Sequence, residues 1–522
     1  MWTHQSISAW PNALPVGLGG SWEGWSEEPN PASPWSAELR SLVSDAIVRQ
    51  YQDSDLELPS SWHQLNLQGC RCVTVGHQLV LGGGPAFFHH KILSAIRVAR
   101  LLERECQIPV VPVFWMASED HDWKEIASVE GETATHRWAP DESEVPHPVG
   151  RRKIDGIGDV MTSWISDVNL DASLKEMMED WEACMKSGER LNGLMRRWIH
   201  RWYGSQGLLI LDPDDEELKK SASELWAAEF VNDGVHAALQ NTEAISGPAH
   251  VRMNNVFWLD DKSGRIGVVK DADTSEWKAG NRIIARGDED WHAWAERNAS
   301  ACSPGVLLRP LYQEHLLQSL AVILGPGEWR YWQQLPNAFA HHGLKFPALR
   351  LRDHGVVHSA ETRAVGWELN DGWMHEEAWD RWVLDGWLEE HQTALQSQRS
   401  ALDTWHQKHQ AWAVQLSQEL KGPAKALESA TSKAWEQWLA KLRRSLKGLR
   451  SKSWAEARTA HAFLIRRGVP QDRWANWHVL SGLNVKDWCN AWLDESAGLG
   501  ARVWCFVPSN GSHKDKSANS SD

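Results

Sequence analysis

The chain has 522 residues, with 54 Lys and Arg against 69 Asp and Glu, giving a formal net charge of −15. Nucleic-acid binding draws its affinity from phosphates neutralised by Lys and Arg, so this balance argues against a nucleic-acid partner. No apolar run reaches the ~20 residues that span a bilayer, and Met1-Trp-Thr-His-Gln-Ser6 does not open a leader peptide, so the expectation is a cytoplasmic protein without a membrane partner.

Residues 1 to about 55 are rich in Pro, Gly, Ser and Trp, with one helix expected around Ala37 to Tyr51. A short apolar run, Cys72 to Val75, then leads into a glycine loop, and Pro85 opens a helix. Proline suits a first helical turn, where its missing N–H would have had no partner. Ile92, Leu93, Ile96, Ala99 and Leu102 follow at near-helical spacing. A second apolar strand, Val110 to Met116, ends in Glu119, Asp120, His121 and Asp122. This is a β-α-β unit with its polar groups at the carboxyl ends of two strands, where open parallel sheets bind ligands.

Residues from about Gly131 to Gly156 are polar and turn-rich, and a helical stretch runs from about Val160 to Tyr203. Gly207 to Asp212 is an apolar strand ending in Asp, with Glu216 to Phe230 as its crossover helix. Pro248 to Val269 alternates as a hairpin does, with its turn at Asp261-Lys-Ser-Gly264. Val306 to Leu308 is expected as a core strand, Tyr312 to Ile323 as a helix, and Phe346 to Leu351 as the last strand. Alternation of this kind predicts an α/β fold with a doubly wound parallel sheet, in which Val73, Val113, Ile210 and Leu308 lie on neighbouring strands.

Beyond about Glu376 the pattern is almost wholly helical. Leu388, Leu395 and Leu402 are spaced by seven, and Trp405, His409, Trp412 and Leu416 continue the series up to Gly422-Pro423. Trp435, Leu439, Leu442, Leu446 and Leu449 then repeat at 4, 3, 4, 3, which predicts a helical hairpin or coiled coil. Nine Lys and Arg against two Glu between Lys421 and Lys452 read best as a solvated or intersubunit face. The expected domains are a core over 1–375 with connecting segments at about 131–205 and 235–300, a helical arm over 376–458, a return to the core over 459–508, and a disordered tail over 509–522.

Seven cysteines make a disulfide framework a poor reading, and the Cys70-x-Cys72 pair has no second pair nearby, so no metal site and no zinc are expected. Tryptophan is abundant, at 35 against 4 Tyr and 9 Phe, and is expected in core and partly buried positions.

Five ordered blocks carry a resemblance: Val73-Thr-Val-Gly-His-Gln through Gly84-Pro85 to His89-His90-Lys91, Ile108 to Asp122, Gly207 to Asp212, Val306 to Gln313, and Leu324-Gly-Pro-Gly-Glu-Trp-Arg-Tyr331. Together they resemble the bacillithiol-pathway cysteine ligases, the BshC family. The resemblance implies a Rossmann-like core, an arm that mediates homodimerisation through a coiled coil, and a ligase joining cysteine to glucosaminyl-malate with ATP or a related nucleotide, with or without Mg. It further implies a loop similar to the signature loop of class I aminoacyl-tRNA synthetases, in which Gly76, His77, Gln78, Gly84, Pro85, His90 and Lys91 hold the nucleotide. On that reading the glycines admit phosphates, the helix N-terminus supplies N–H donors, and Lys91 adds a point charge.

Asp120, His121 and Asp122 are the catalytic candidates, and Glu119, Arg309, Gln313, Glu328 and Tyr331 the substrate-binding ones. Asp or Glu suits an α-ammonium, and His121 proton transfer or an α-phosphate. Arg309 suits bidentate capture of a carboxylate or phosphate, and equally a structural ion pair. His89 has no counterpart in the family and is expected at solvent. The lysine-rich loop of the synthetases is not evident; Lys345, Arg350 and Arg352 are the stand-ins. A nucleotidyltransferase of the same superfold acting on another small metabolite is the alternative.

Overall fold

The computed structural model describes residues 2–10, 18–131, 133–139, 146–167, 179, 181–186, 189–231, 234–240, 249, 251–358, 375–389, 391–476 and 485–506. They fall into two units, Met1–Val356 with Asp472–Asp522, and Val357–Gln471.

The first unit opens with β1 (Trp2–Ser6) and α1 (Ala37–Asp53), whose cap Ser36 accepts from the Leu39 N–H. Next come β2 (Arg71–His77), α2 (Phe87–Cys106), β3 (Val110–Met116) and the small hairpin β4 (Ser128–Glu130) with β5 (Thr135–Arg137). After α3 (Leu191–Tyr203) follow β6 (Leu209–Leu211), α4 (Glu216–Ser221) and α5 (Ser223–Val231). An antiparallel group succeeds them: β7 (Val256–Asp260), β8 (Gly264–Lys270), β9 (Trp277–Ala279), β10 (Arg282–Ala285) and β11 (Cys302–Pro304). Then come α6 (Arg309–Leu317), β12 (Ala321–Leu324), α7 (Pro326–Trp332), β13 (Ala348–Leu351) and β14 (His354–Val357).

Five strands form one parallel sheet in the order β13-β12-β2-β3-β6. Every residue of β3, β6, β12 and β13 is buried, and all but Arg350 are apolar: strands covered on both faces need no alternation. In chain order the strands lie 5-4-1-2-3, the Rossmann arrangement, and the direction of succession reverses between β2 and β12. A second sheet, β10-β9-β8-β7-β11, carries the expected hairpin: Asp260 pairs with Gly264, which has φ +78°, where a left-handed backbone favours glycine.

Two expectations fail in the stretch that supplies β12. Leu308 is not on a strand; it caps the N-terminus of α6. The strand beside β2 is Ala321–Leu324, the tail of the run expected as helix, because Gln318 turns left-handed (φ 40°) and ends α6 at Leu317. From Leu316 to Leu324 most residues are apolar, and periodicity cannot separate a buried helix end from a buried strand. His89 is likewise not at solvent. It is fully buried, with Nδ1 2.6 Å from the Tyr203 hydroxyl and its ring against Trp198 and Trp202. Tryptophan does serve the core, as Trp25, Trp115, Trp198, Trp226, Trp329 and Trp332 are all buried.

The second unit contains α8 (Glu376–Glu389), α9 (Gln392–Leu416), α10 (Lys421–Leu449) and α11 (Ser451–Leu464), followed by the two-residue strands β15 (Ile465–Arg466) and β16 (Val469–Pro470). Helices α9 and α10 pack antiparallel, with His406 Nε2 2.5 Å from Thr431 Oγ1 and Gln410 bonded to Glu428. The seven-residue series crosses a helix boundary: Leu388 lies in α8, Leu395 and Leu402 in α9. Gly422 and Pro423 do not end a helix. They sit in the first turn of α10, where proline is tolerated, and the chain reverses at Ser417–Leu420 instead. Trp405, Trp412, Leu416, Trp438 and Leu449 are exposed in this unit.

The chain then returns to the first unit, where β17 (Arg502–Phe506) lies between β1 and β14. The expected tail, 509–522, lies outside the described residues.

Candidate active site at the reversal of strand order

The reversal between β2 and β12 opens a cleft of about 900 Å3. From the β2 side Gly76, His77 and Gln78 line it, followed by Pro85, Phe87 and Lys91 at the start of α2. Lys91 is buried; its Nζ lies 2.6 Å from the Gly76 carbonyl and 2.5 Å from Glu328 Oε2. Glu328 also accepts from the Gly325 N–H at 2.9 Å, closing the first turn of α7 beyond β12. The end of β2 and the end of β12 are thus tied across the reversal by one ion pair. Burial, with the nearby Lys91 charge, brings the His77 imidazole down to about 4, so it is neutral at physiological pH.

Arg309 enters from the first turn of α6. It donates to Gln313 Oε1 and to the Tyr331 hydroxyl, both at 2.9 Å. Gln313 is itself buried, away from the cleft, and holds Arg309 from behind through the spacing of one helical turn. Its hydrogen-bond partners among the described residues are neutral groups, while the Glu328 and Asp120 carboxylates act on it through their charge.

From the β3 side come Glu119, Asp120 and His121. Asp120 Oδ2 accepts from Gln78 Nε2 at 2.8 Å, and Oδ1 from the His121 backbone N–H at 2.8 Å. Burial pushes the Asp120 carboxyl up, but the Gln78 donor, the Arg265 charge and the His121 N–H outweigh it and hold the group below its usual range. Glu119 is 2.7 Å from Lys219 Nζ, which is also 2.7 Å from Asp214, in turn clamped by Arg151. This floor is therefore charge-paired. The far wall is the antiparallel sheet, which contributes Phe257 and Arg265, with the segment leading into it, which contributes Arg252 and Asn255; Arg352 and Arg473 complete the side next to Phe87.

Several expected site residues lie elsewhere. Asp122 is exposed and caps the short helix Trp123–Ile126, outside the cleft. His90 points to the opposite side of α2 from Lys91, stacked 4.3 Å from Trp492 and 3.7 Å from Asp472, because consecutive helical residues diverge by about 100°. The glycine run is also not a phosphate cradle. Gly84 is buried, and a Cβ there would meet the Val80 side chain at 2.6 Å; Gly83 is closed off by Trp198 and His89 in the same way. Close backbone approach to the cleft comes from Gly76, Gly305, Gly325 and Gly327. Of the three stand-ins for a cationic loop only Arg352 reaches the cleft. Lys345 reaches Ser33 at the surface, and Arg350 is buried on Asp353.

Reading the sequence missed Arg252, Arg265 and Arg473. Arg265 sits in a hairpin whose existence was legible, but nothing local says that the hairpin faces β3. Arg473 arrives from a C-terminal segment that clamps the glycine loop, through Ala475 O to the Ala86 N–H (2.9 Å) and Asn476 Nδ2 to Gly82 O (3.1 Å). Among the described residues no group of three or more His, Cys, Asp or Glu is placed to hold a metal ion. No described helix is long and apolar enough to cross a membrane.

Six cations (Lys91, Arg252, Arg265, Arg309, Arg352 and Arg473) thus converge on one cleft, facing Glu119, Asp120, Glu125 and Glu328. On a chain of net charge −15 this concentration falls at the switch point of a Rossmann-like domain, with Lys91 paired to Glu328 and Arg352 to Asp472. Residues 23–353 match the family model described as "Bacillithiol biosynthesis BshC, N-terminal Rossmann-like domain", and the chain belongs to the BshC family. It is 27% identical over 351 residues to a Flavobacterium johnsoniae protein named "Putative cysteine ligase BshC", covering 66% of this chain and 65% of that one. Proteins of the same name from Salinibacter ruber (28% identity, 60% and 59% coverage) and Bacillus velezensis (27%, 60% and 62%) are similar to it. The matched part spans a little under two-thirds of each of these relatives.

Proposed function

We propose that this chain is a ligase that joins the carboxylate of L-cysteine to the amine of glucosaminyl-malate, the last step of bacillithiol formation, with ATP or a related nucleotide activating the carboxylate. The observation that carries this reading is the cationic cleft at the strand reversal of a BshC-family domain. With Lys91 held by Glu328 and Arg352 by Asp472, the cations Arg252, Arg265, Arg309 and Arg473 suit a polyphosphate and the two carboxylates of the malate group. Asp120, held anionic and accepting, suits the ammonium of an amino acid or the proton that leaves the attacking amine. In balance, the cysteine carboxylate oxygen attacks phosphorus and displaces the remaining phosphate groups. The acceptor amine then attacks the activated carbonyl, expels the nucleotide and yields its proton.

The test is incubation of the protein with cysteine, glucosaminyl-malate and ATP, with and without Mg, followed by mass spectrometry for bacillithiol and for the nucleotide product. Bacillithiol should accumulate, and Asp120→Ala should abolish it while leaving the melting temperature little changed, since Asp120 stands at a solvated crevice. Nucleotide turnover with an amino acid or metabolite other than cysteine would instead favour the nucleotidyltransferase reading. Absence of product with every nucleotide triphosphate would overturn the ligase.

The exposed Trp405, Trp412, Leu416, Trp438 and Leu449 further support a homodimer formed through the helical arm as a coiled coil, since soluble proteins rarely leave such a surface uncovered. Light scattering at micromolar concentration should give twice the chain mass of 59.1 kDa; the single mass would count against it.

A further inference from the structure

We propose that Arg265 is a positioning residue that locks His121 as its neutral Nε2–H tautomer, so that His121 serves the cleft as a hydrogen-bond donor and not as a base. The tautomer assignment stands on geometry alone; its consequence for turnover rests on the ligase reading above.

Arg265 Nη1 lies 2.8 Å from His121 Nδ1. A guanidinium has five N–H donors and no lone pair, so in this contact the imidazole Nδ1 must accept and carries no proton. A neutral ring then bears its proton on Nε2, and that edge can only donate. Arg265 cannot easily turn away. Its Nε donates to Ser303 Oγ at 3.0 Å, its Nη2 to the Pro304 carbonyl at 2.6 Å, and the guanidinium lies 4.0 Å from the Phe257 ring centroid. Three strands, β7, β8 and β11, therefore hold the group that faces His121.

Asp120 does not compete for Nδ1. Its Oδ1 is 3.7 Å from that nitrogen, beyond hydrogen-bonding range, and is taken by the His121 N–H, while Oδ2 is taken by Gln78. The charged groups facing His121 are Asp120 and Asp122 from the loop after β3, Arg265 from β8, and Arg252 from the segment before β7. Burial and the Arg265 charge outweigh the two acids and keep the imidazole below its usual range. The cleft is thereby divided into an acceptor, Asp120, and an adjacent donor, His121. Neighbouring residues of one loop with opposite hydrogen-bonding roles suit a reaction in which a proton leaves an amine while negative charge grows on an oxygen.

The decisive measurement is a long-range 1H–15N correlation spectrum of the full-length protein labelled with 15N-histidine, with His121 assigned by its loss in His121→Gln. The expected result is an Nε2–H neutral pattern for His121 at neutral pH, with its titration lying below the ~6.5 of an ordinary histidine. An Nδ1–H pattern, or a His121 that titrates at or above the ordinary value, overturns the proposal. In Arg265→Met the donor is gone and the apolar stem remains, so His121 should show mixed tautomers and titrate near the ordinary value; an unchanged spectrum overturns it equally. In the ligation assay Arg265→Met should move the acidic limb of kcat/KM to higher pH than in the unaltered protein, toward the ~6.5 of an ordinary histidine. The spectra read the tautomer whether or not cysteine is the true substrate, so failure of the ligase reading and failure of this proposal leave different traces.

Discussion

At the residue scale, the cleft is built by pairs that sequence reading took singly. Lys91 was expected as a point charge for phosphate and Glu328 as a substrate ligand, yet the two neutralise each other at 2.5 Å. Removing one member of a buried pair strands the other, at a cost of ~3–5 kcal/mol. Glu328 keeps partial exposure and the Gly325 N–H, which places Lys91→Met at the lower end, about 3 kcal/mol in urea unfolding. The double variant Lys91→Met with Glu328→Gln should recover much of that loss, because no charge is left alone. A single variant as stable as the unaltered chain would show that the pair does not form. Asp120 and His121 were legible because four ionisable residues directly after an apolar strand are costly anywhere but a crevice. Asp122, in the same run, was not separable from them, since which residues of a loop turn inward depends on the backbone path.

At the element scale, the glycine loop shows why a motif can be placed correctly and explained wrongly. The loop stands between β2 and α2 as expected, but Gly82, Gly83 and Gly84 have positive φ (61°, 74° and 59°) and are buried against side chains. Their need is conformational and steric. A Cβ on Gly83 would sit 2.2 Å from Trp198 and 2.9 Å from His89. Gly83→Ala should therefore cost ~2–4 kcal/mol, combining left-handed strain with overpacking, read as a lower denaturant midpoint. Gly327→Ala is the contrast: it has open space around its Cβ and should lose far less stability. If Gly83→Ala is neutral, the loop is kept for its ligand after all. The same scale holds the misread α6 and β12. A nine-residue stretch that is mostly apolar fits either period, and only a left-handed Gln318 divides it.

At the scale of the whole molecule, burial of neutral histidines predicts how stability depends on pH. Burial is the first cause that brings His77 and His342 down to about 4 and His354 to about 3. Each is neutral in the fold, while the unfolded chain takes up the proton near ~6.5. A depressed folded value means that the stabilisation is complete above ~6.5 and is lost as pH falls toward the folded value. Between pH 6.5 and 5 the loss is on the order of 2 kcal/mol per fully shifted group. The depressed carboxylates of Asp353 and Asp472 add to it only below the ordinary ~3.9, so they cannot account for a loss in that window. Urea unfolding should thus show a clearly lower midpoint at pH 5 than at pH 7.5. A flat profile over that range would contradict the neutral burial of these rings.

The chain by itself determined the alternation of strands and helices, the position of β2, β3 and β6, the hairpin of β7 and β8, and the loops at the ends of β2 and β3. These follow from local causes: apolar period, turn residues, and the cost of charge beside an apolar strand. Tertiary structure alone decided that Arg265 meets His121, that Lys91 meets Glu328, that Arg473 joins the cleft from the far end of the chain, and that His90 turns away from it. Such contacts join segments distant in sequence, and the free energy that selects them comes from shared burial and charge pairing, which no single segment carries.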